Sequence, residues 1–159
     1  MSVEIKKVQT KKELEEVYKL DLALLRYEAE VDSSLRKPND KIKHYEKRFL
    51  DQKFKDKNSL ILIARDNEKA IGYCLGSIQK LDPNHKVNPE GYIFNIFVLD
   101  GYRRNGVGKK LIRAMIDWFK EKNIKRIVVD VTEKNKAGLA FFEKLGFRLH
   151  PFRRLCLDV

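Results

Sequence analysis

Cysteine is nearly absent from this chain: Cys74 and Cys156 are the two among 159 residues, and each stands alone in an apolar stretch. With no C-x-x-C pair and no Cys/His spacing, no zinc site is expected, and both thiols read as reduced core residues. The four prolines, at 38, 83, 89 and 151, are scattered, and there is no Gly/Ser tract or internal repeat. A linker and a second domain are therefore not supported, and residues 1–159 are expected to form a single domain. No apolar run approaches the roughly 18 to 20 residues of a spanning helix. The opening MSVEIKKVQTKKELEE lacks the apolar segment of an export signal. A cytoplasmic protein with no membrane partner is the expectation.

What is present is apolar content of 43% beside 36% charge, enough for a packed core. The net charge of +11 is unevenly placed, because residues 101–159 hold 15 basic and 6 acidic side chains. A phosphate-rich partner would bind in that last third. Nucleic acid, an anionic surface and an anionic small molecule all fit a basic patch, and heat adaptation leaves a similar Lys/Glu excess.

Val3, Ile5 and Val8 suggest a first strand, and Thr10 caps a helix carrying Leu14, Val17, Tyr18, Leu22, Leu25 and Ala29 on one face. Asp32 to Pro38 breaks it. Asn39 or Asp40 then caps a second helix with Ile42, Tyr45 and Phe49 at helical spacing. The apolar runs 60–64 and 70–78, joined by Arg65-Asp66-Asn67-Glu68-Lys69, predict an antiparallel hairpin. Tyr92 to Val98 reads as a buried strand. Val107, Leu111, Met115 and Trp118 predict an amphipathic helix of about four turns. A strand at 127–131, a short helix at 135–145 stopped by Gly146, and one or more strands within 149–157 complete the order βααβββαβαβ.

The segment with most chemical content is the strand 92–98 running through Asp100-Gly101-Tyr102-Arg103-Arg104-Asn105-Gly106-Val107-Gly108 into a basic helix. Glycine lets a ligand approach the backbone, and the free N–H groups of a helix's first turn make an anion site. Two phosphate loops fail the test. A dinucleotide fingerprint needs glycine where Leu111 stands, and a Walker loop needs lysine where Val107 stands.

Arg103-x-x-Gly106-x-Gly108 does match the R-x-x-G-x-G pattern of the GNAT superfamily of N-acetyltransferases. Asn135, Ala137 and Ala140 followed by Phe141-Phe142-Glu143-Lys144-Leu145-Gly146-Phe147 resemble that family's second acetyl-CoA motif. The resemblance covers residues 92–147, about a third of the chain. It implies an α/β (α+β) fold whose mixed, mostly antiparallel sheet is splayed into a V-shaped acyl-CoA cleft between strands 92–98 and 127–131. It also implies acetyl-CoA as cosubstrate and no metal. Ile96, Phe97 and Val98 would meet the pantetheine arm. Arg103, Arg104, Asn105, Gly106, Val107, Gly108 and Lys109 would meet the pyrophosphate, and Asn135 and Phe142 would line the site. Asn135 reads equally as a helix N-cap, and the two roles can coexist.

By the same resemblance, the Val98 N–H would hold the acetyl carbonyl while an amine attacks directly in a ternary complex. Two positions depart from the family. Phe142 stands where the acid tyrosine is usual, and Phe94, beside Asn95, where many relatives carry a glutamate base. A coenzyme A thiolate is a tolerable leaving group, with a thiol pKa near about 8.5, so water can supply its proton. Glu28, Glu30 and Asp32, at the end of the first helix, are then the carboxylates placed to draw in an amine, with Glu30 and Asp32 the candidates for catalysis. A solvated helix end is their alternative reading. His44 and His85 read mainly as surface residues, and Tyr73 and Tyr92 mainly as core aromatics with satisfied hydroxyls.

The sequence thus points to an N-acetyltransferase acting on an amine, small molecule or protein. A non-catalytic acyl-CoA sensor is the alternative, nucleic acid is a disfavoured partner, and a homodimer is left open.

Overall fold

The computed structural model describes residues 1–34 and 40–159. The break and helix cap expected around Pro38 and Asn39 lie outside the described residues. Strand β1 (Val3–Lys7) leads to helix α1 (Lys11–Val31) and helix α2 (Asp40–Lys55). Strands β2 (Ser59–Asp66), β3 (Lys69–Gln79) and β4 (Glu90–Val98) follow, then α3 (Val107–Glu121), β5 (Ile127–Val129) and α4 (Lys136–Lys144). The sheet order is β1-β2-β3-β4-β5, antiparallel throughout except for the parallel β4/β5 pair.

Strand alternation divides the core. Leu60, Leu62 and Ala64 of β2 face one side, where Val107, Leu111, Ile112, Met115 and Phe119 of α3 pack with Phe142 of α4. Ile61 and Ile63 face the other, against Leu14, Val17, Leu20 and Leu24 of α1 and Leu50 of α2. Helix α1 starts on a reciprocal cap, in which the Thr10 hydroxyl accepts from the Glu13 N–H and the Glu13 carboxylate accepts from the Thr10 N–H.

The splayed sheet is the one the sequence anticipates. Pairing between β4 and β5 is confined to Gly91, Tyr92 and Ile93 against Ile127, Val128 and Val129. Above Ile93 the two strands part. The β3/β4 register also shifts there: Leu75 pairs with Asn95 and Gly76 with Ile93, leaving Phe94 as the extra residue of a bulge. Beyond the bulge, Leu99 donates its N–H to the Ile71 carbonyl of the β3 side. Alternation then turns the backbone groups of Val98 and Ile96 toward the open side of the fork.

Four expectations need correction. No strand forms within 149–157, whose Leu149, Phe152, Leu155 and Leu157 are exposed. The three-residue β5 offers little ladder to extend, and Pro151 removes a donor. Cys74 is a buried thiol as expected, with burial pushing it well above the ordinary thiol range, but Cys156 lies in that exposed tail. On α1 the buried stripe runs through Leu20, Asp21 and Leu24 rather than Leu22 and Ala29. On α2 the inward residues are Glu46 and Leu50, while Tyr45 is exposed. Trp118 is half-buried against the α3 core.

Candidate active site

The loop after β4 is shaped for an anion before any ligand is considered. Arg104 has φ 62° and Gly106 φ 79°, so left-handed residues alternate with ordinary ones, a backbone pattern that turns successive N–H groups into one concavity. Gly106 is the N-cap of α3 and offers no side-chain cap, so the N–H groups of the first turn are left to a ligand or to water. The helix dipole adds positive potential there, and exposed Lys109, Lys110 and Arg113 surround it. Gly108 lies where α3 meets α4: a Cβ there would stand 3.3 Å from the Phe141 ring. The open edge of β4 at Ile96 and Val98 runs down from this concavity to the bulge at Phe94. A groove from an anion site to a fork in the sheet is a place for a long phosphorylated arm.

A separate cavity of about 200 Å³ is lined by Lys7, Lys53, Lys57, Trp118 and Lys122 at the opposite end of α3. The ends of α2 and α3 that meet there are C-termini, whose carbonyls disfavour an anion despite the lysines.

Side chains from α1 and the loop after β5 close the fork on the α1 side. The Arg103 Nε donates to the Val98 carbonyl at 2.9 Å, while its guanidinium lies 4.5 Å from the Tyr27 ring centre and 5.3 Å from that of Phe97. Tyr27 donates its hydroxyl to Asn135 Oδ1 at 3.2 Å, and the same oxygen caps α4 by accepting from the Gly138 N–H at 3.0 Å. Lower in the fork, Tyr92 donates to Asp130 Oδ2 at 2.6 Å across the β4/β5 junction. Burial and then the Asp130 carboxylate push the Tyr92 hydroxyl well above the ordinary tyrosine range, so it keeps its proton.

A sequence model described as the acetyltransferase (GNAT) family matches residues 20–147. The chain belongs to this family. Among curated relatives it is 33% identical to N-alpha-acetyltransferase 30 of Schizosaccharomyces pombe over 85 residues, 54% of this chain and 55% of that one. It is 28% identical to the N-alpha-acetyltransferase of Sulfurisphaera tokodaii over 105 residues, 63% of each chain. The [Ribosomal protein bS18]-alanine N-acetyltransferase of Escherichia coli is 34% identical over 65 residues, 41% of this chain and 44% of that one. The chain thus spans less than two thirds of the curated relatives it matches. Among solved structures, a mutant of the Bacillus halodurans protein BH1408 superposes with TM-score 0.85 at 21% identity, covering 98% of this chain and 99% of that one. AAC(6')-Iy in complex with the bisubstrate analogue CoA-S-monomethyl-acetylneamine gives TM-score 0.74 at 23% identity, covering 98% and 100%. Both likenesses concern the fold.

The structure brings most of the expected donor-site residues together. Arg104, Asn105, Gly106, Val107, Gly108 and Lys109 form the concavity, and Ile96 and Val98 form the open edge. Phe97 points into the α1-side core. Arg103 spends its guanidinium on Val98, Tyr27 and Asp100 rather than on the concavity. Phe142 is buried in the α3-side core, 5.1 Å and 5.2 Å from the ring centres of Phe141 and Phe147. Of the α1 carboxylates, Glu30 is exposed. Asp32 is buried and accepts from the Ser34 N–H and hydroxyl, from Thr132 and from Lys134 Nζ at 3.2 Å. The Ser34 hydroxyl foremost, with Lys134 further down, holds its carboxyl below the usual carboxylate range against the cost of burial. Asp32 is thereby a clasp from α1 to the loop after β5.

Sequence reasoning passed over Asp21. It is fully buried and accepts at Oδ1 from the Tyr73 hydroxyl and from Asn95 Nδ2, the latter at 3.0 Å. Its signal was legible as a carboxylate interrupting the apolar stripe of α1. Asp130 and Tyr27 carried no such mark, because each is defined by a partner distant in sequence.

Among the described residues, no group of three or more His, Cys, Asp or Glu is placed to hold a metal, and no helix is long and apolar enough to cross a membrane.

Proposed function

We propose that the chain transfers the acetyl group of acetyl-CoA to an amine by direct attack in a ternary complex. The observation that carries this reading is the fork between β4 and β5 opening beside the uncapped N-terminus of α3. The pyrophosphate meets the N–H groups of Arg104 to Lys109, and the pantetheine arm lies along Ile96 and Val98. The Val98 N–H then meets the developing oxyanion, a backbone donor that no side-chain change removes. Arg103 is a positioning residue, because it holds the carbonyl of the same residue.

Proton traffic fits the two departures from the family pattern. Tyr92 offers a hydroxyl at the closed end of the fork, but its raised pKa makes it a poor donor to a thiolate, so water protonates the leaving group. Glu30 on the exposed end of α1 and Asp130 at the fork draw in an ammonium, and Asp32 acts on the same side by fixing the loop after β5. The relatives include N-alpha-acetyltransferases and a ribosomal protein bS18 alanine N-acetyltransferase. A protein α-amine is therefore the first acceptor class to try, with aminoglycoside amines second on the fold likeness. A cytoplasmic setting goes with this reading.

The buried Phe142, which has no proton to give, supports a second reading as an acyl-CoA sensor without turnover. Thiol release from acetyl-CoA across a panel of N-terminal peptides, polyamines and aminoglycosides separates the two. Saturable, amine-dependent release supports transfer. Tight acetyl-CoA binding without release from any amine supports the sensor.

A further inference from the structure

A buried carboxylate that the transfer reaction does not use stands behind the bulge of β4. Asp21 lies in the apolar stripe of α1 between Leu20 and Leu24 and has no exposure. Its Oδ1 accepts from donors on two neighbouring strands, the Tyr73 hydroxyl of β3 and the Asn95 Nδ2 of β4, the latter at 3.0 Å. Both donors belong to the stretch beyond the bulge, where Tyr73 pairs with Phe97 and Leu75 with Asn95.

The bulge decides which backbone groups of β4 reach the fork. Below it the odd-numbered residues face β5, as the Gly91 N–H does by donating to the Arg126 carbonyl at 2.9 Å. Above it the odd-numbered residues face β3, because Leu99 donates to Ile71, and the even-numbered Ile96 and Val98 take over the open side. The side chains follow the same count. Ile93, Ile96 and Val98 pack on the α3 side and Phe94, Phe97 and Leu99 on the α1 side, where Asn95 joins Phe94 by reaching Asp21. Erasing the bulge would slide residues 95–98 one position along β3 and turn every one of their side chains to the other face. The Phe97 N–H would then stand where that of Val98 stands, and Asn95 would face the α3 side, where the cluster of Val107, Leu111 and Met115 offers no polar partner.

We propose that Asp21 is the register lock of β4: by holding Asn95 on the α1 side it selects the bulged pairing and so sets the Val98 N–H, rather than that of Phe97, at the fork. A buried polar pair of this kind specifies one pairing more than it adds stability, because the slipped alternative leaves an amide unsatisfied. Asp21 acts through Asn95 and is a positioning residue. The lock stands on register and contacts, whereas its consequence for acetyl transfer rests on the donor site argued above.

Amide hydrogen exchange followed by NMR reads the register directly. In the unmutated chain Phe97, bonded to β3, should be protected, and Val98, open to the fork, should exchange fast without ligand. Asn95→Leu removes the group that the lock holds and suits the apolar side, so the protection of Phe97 should fall at least about tenfold relative to the amides of the β2/β3 hairpin. Coenzyme A should still shift the amides of Gly106 to Lys109 in that variant but no longer that of Val98. Tyr73→Phe, which loses the other donor to Asp21 and leaves Asn95 in place, should lower protection of Phe97 and of the hairpin alike. Asn95→Asp, which opposes two carboxylates, should behave as Asn95→Leu does. Combining it with Asp21→Asn restores one amide and one carboxylate, and should return Phe97 to within about threefold of the unmutated chain. This swapped pair decides the matter even if a single variant does not fold. Val98 as the protected amide of the unmutated chain, a parallel fall of Phe97 and the hairpin in Asn95→Leu, or a swapped pair no better than Asn95→Asp overturns the lock. Failure of coenzyme A to shift Val98 in the unmutated chain, with the exchange pattern as stated, overturns the donor site and leaves the lock standing.

Discussion

Replacing Tyr73 by Phe isolates the contact that ties α1 to β3, the strand paired with β4 beside the fork. The ring is fully buried and paired across from Phe97, so Phe fills the same volume and leaves no cavity. What is lost is the hydroxyl that donates to Asp21, a carboxylate with no exposure of its own. A hydrogen bond to a buried charge contributes about 1.5 to 3 kcal/mol, and Asp21 keeps Asn95 as a donor, so a loss of about 2 kcal/mol is expected. For a chain of this size that corresponds to a fall in Tm of roughly 4 to 8 °C. Urea unfolding at pH 7 should show the lower midpoint with an unchanged m-value. A second signature separates the hydroxyl from packing. Burial, followed by the Asp21 charge, raises the folded-state pKa of Tyr73 above its unfolded value, so its contribution is complete below the unfolded pKa of about 10 and is lost as pH rises through the folded pKa. The stability difference between the unmutated chain and Tyr73→Phe should therefore shrink above about pH 10. A loss under about 0.5 kcal/mol, or a difference that does not shrink in alkali, would refute the reasoning.

Asp32→Asn should lower the urea midpoint at pH 7 and raise the acceptor KM without weakening coenzyme A binding. Because the folded-state pKa of Asp32 is depressed, its contribution is present above the unfolded value of about 3.9 and lost as pH falls through the folded one, so variant and parent should converge in acid. Asn135→Ala removes both the cap of α4 and the acceptor for Tyr27, and should cost about 1 kcal/mol of stability. Because the same side chain stands at the groove, acetyl-CoA binding should weaken as well, whereas Asn135→Asp, which keeps the cap, should recover the stability; parallel stability curves and titrations check both.

The elements of this fold that the sequence makes legible are those with a strong period. The α3 stripe through Leu111 and Met115 and the 60–78 hairpin need no partner to be recognised, and the glycine spacing 106/108 announces its loop. The readings that failed depend on tertiary choice. Tyr45 sits at helical spacing with Phe49, yet the face of α2 that meets α1 is rotated onto Glu46 and Leu50. The tail 149–157 has strand-forming residues but no sufficient edge to pair with. At the site, backbone positions are more legible than side-chain contacts. Val98 and Gly106 present N–H groups whose directions strand and helix geometry fix. Arg103 turns inward to Tyr27, and Asp32 closes on Lys134, contacts between residues 76 and 102 positions apart that no local pattern encodes.

The most direct test of the donor site is an amide-resolved NMR titration of the unmutated chain with coenzyme A. The account predicts that the largest shift changes fall on the amides of Val98, Gly106, Val107, Gly108 and Lys109, with Ile96 following along the open edge of β4. Changes centred instead on Lys7, Lys53, Lys57 and Lys122, with the amides of Gly106 to Lys109 unmoved, would place the ligand in the cavity at the far end of α3 and contradict it.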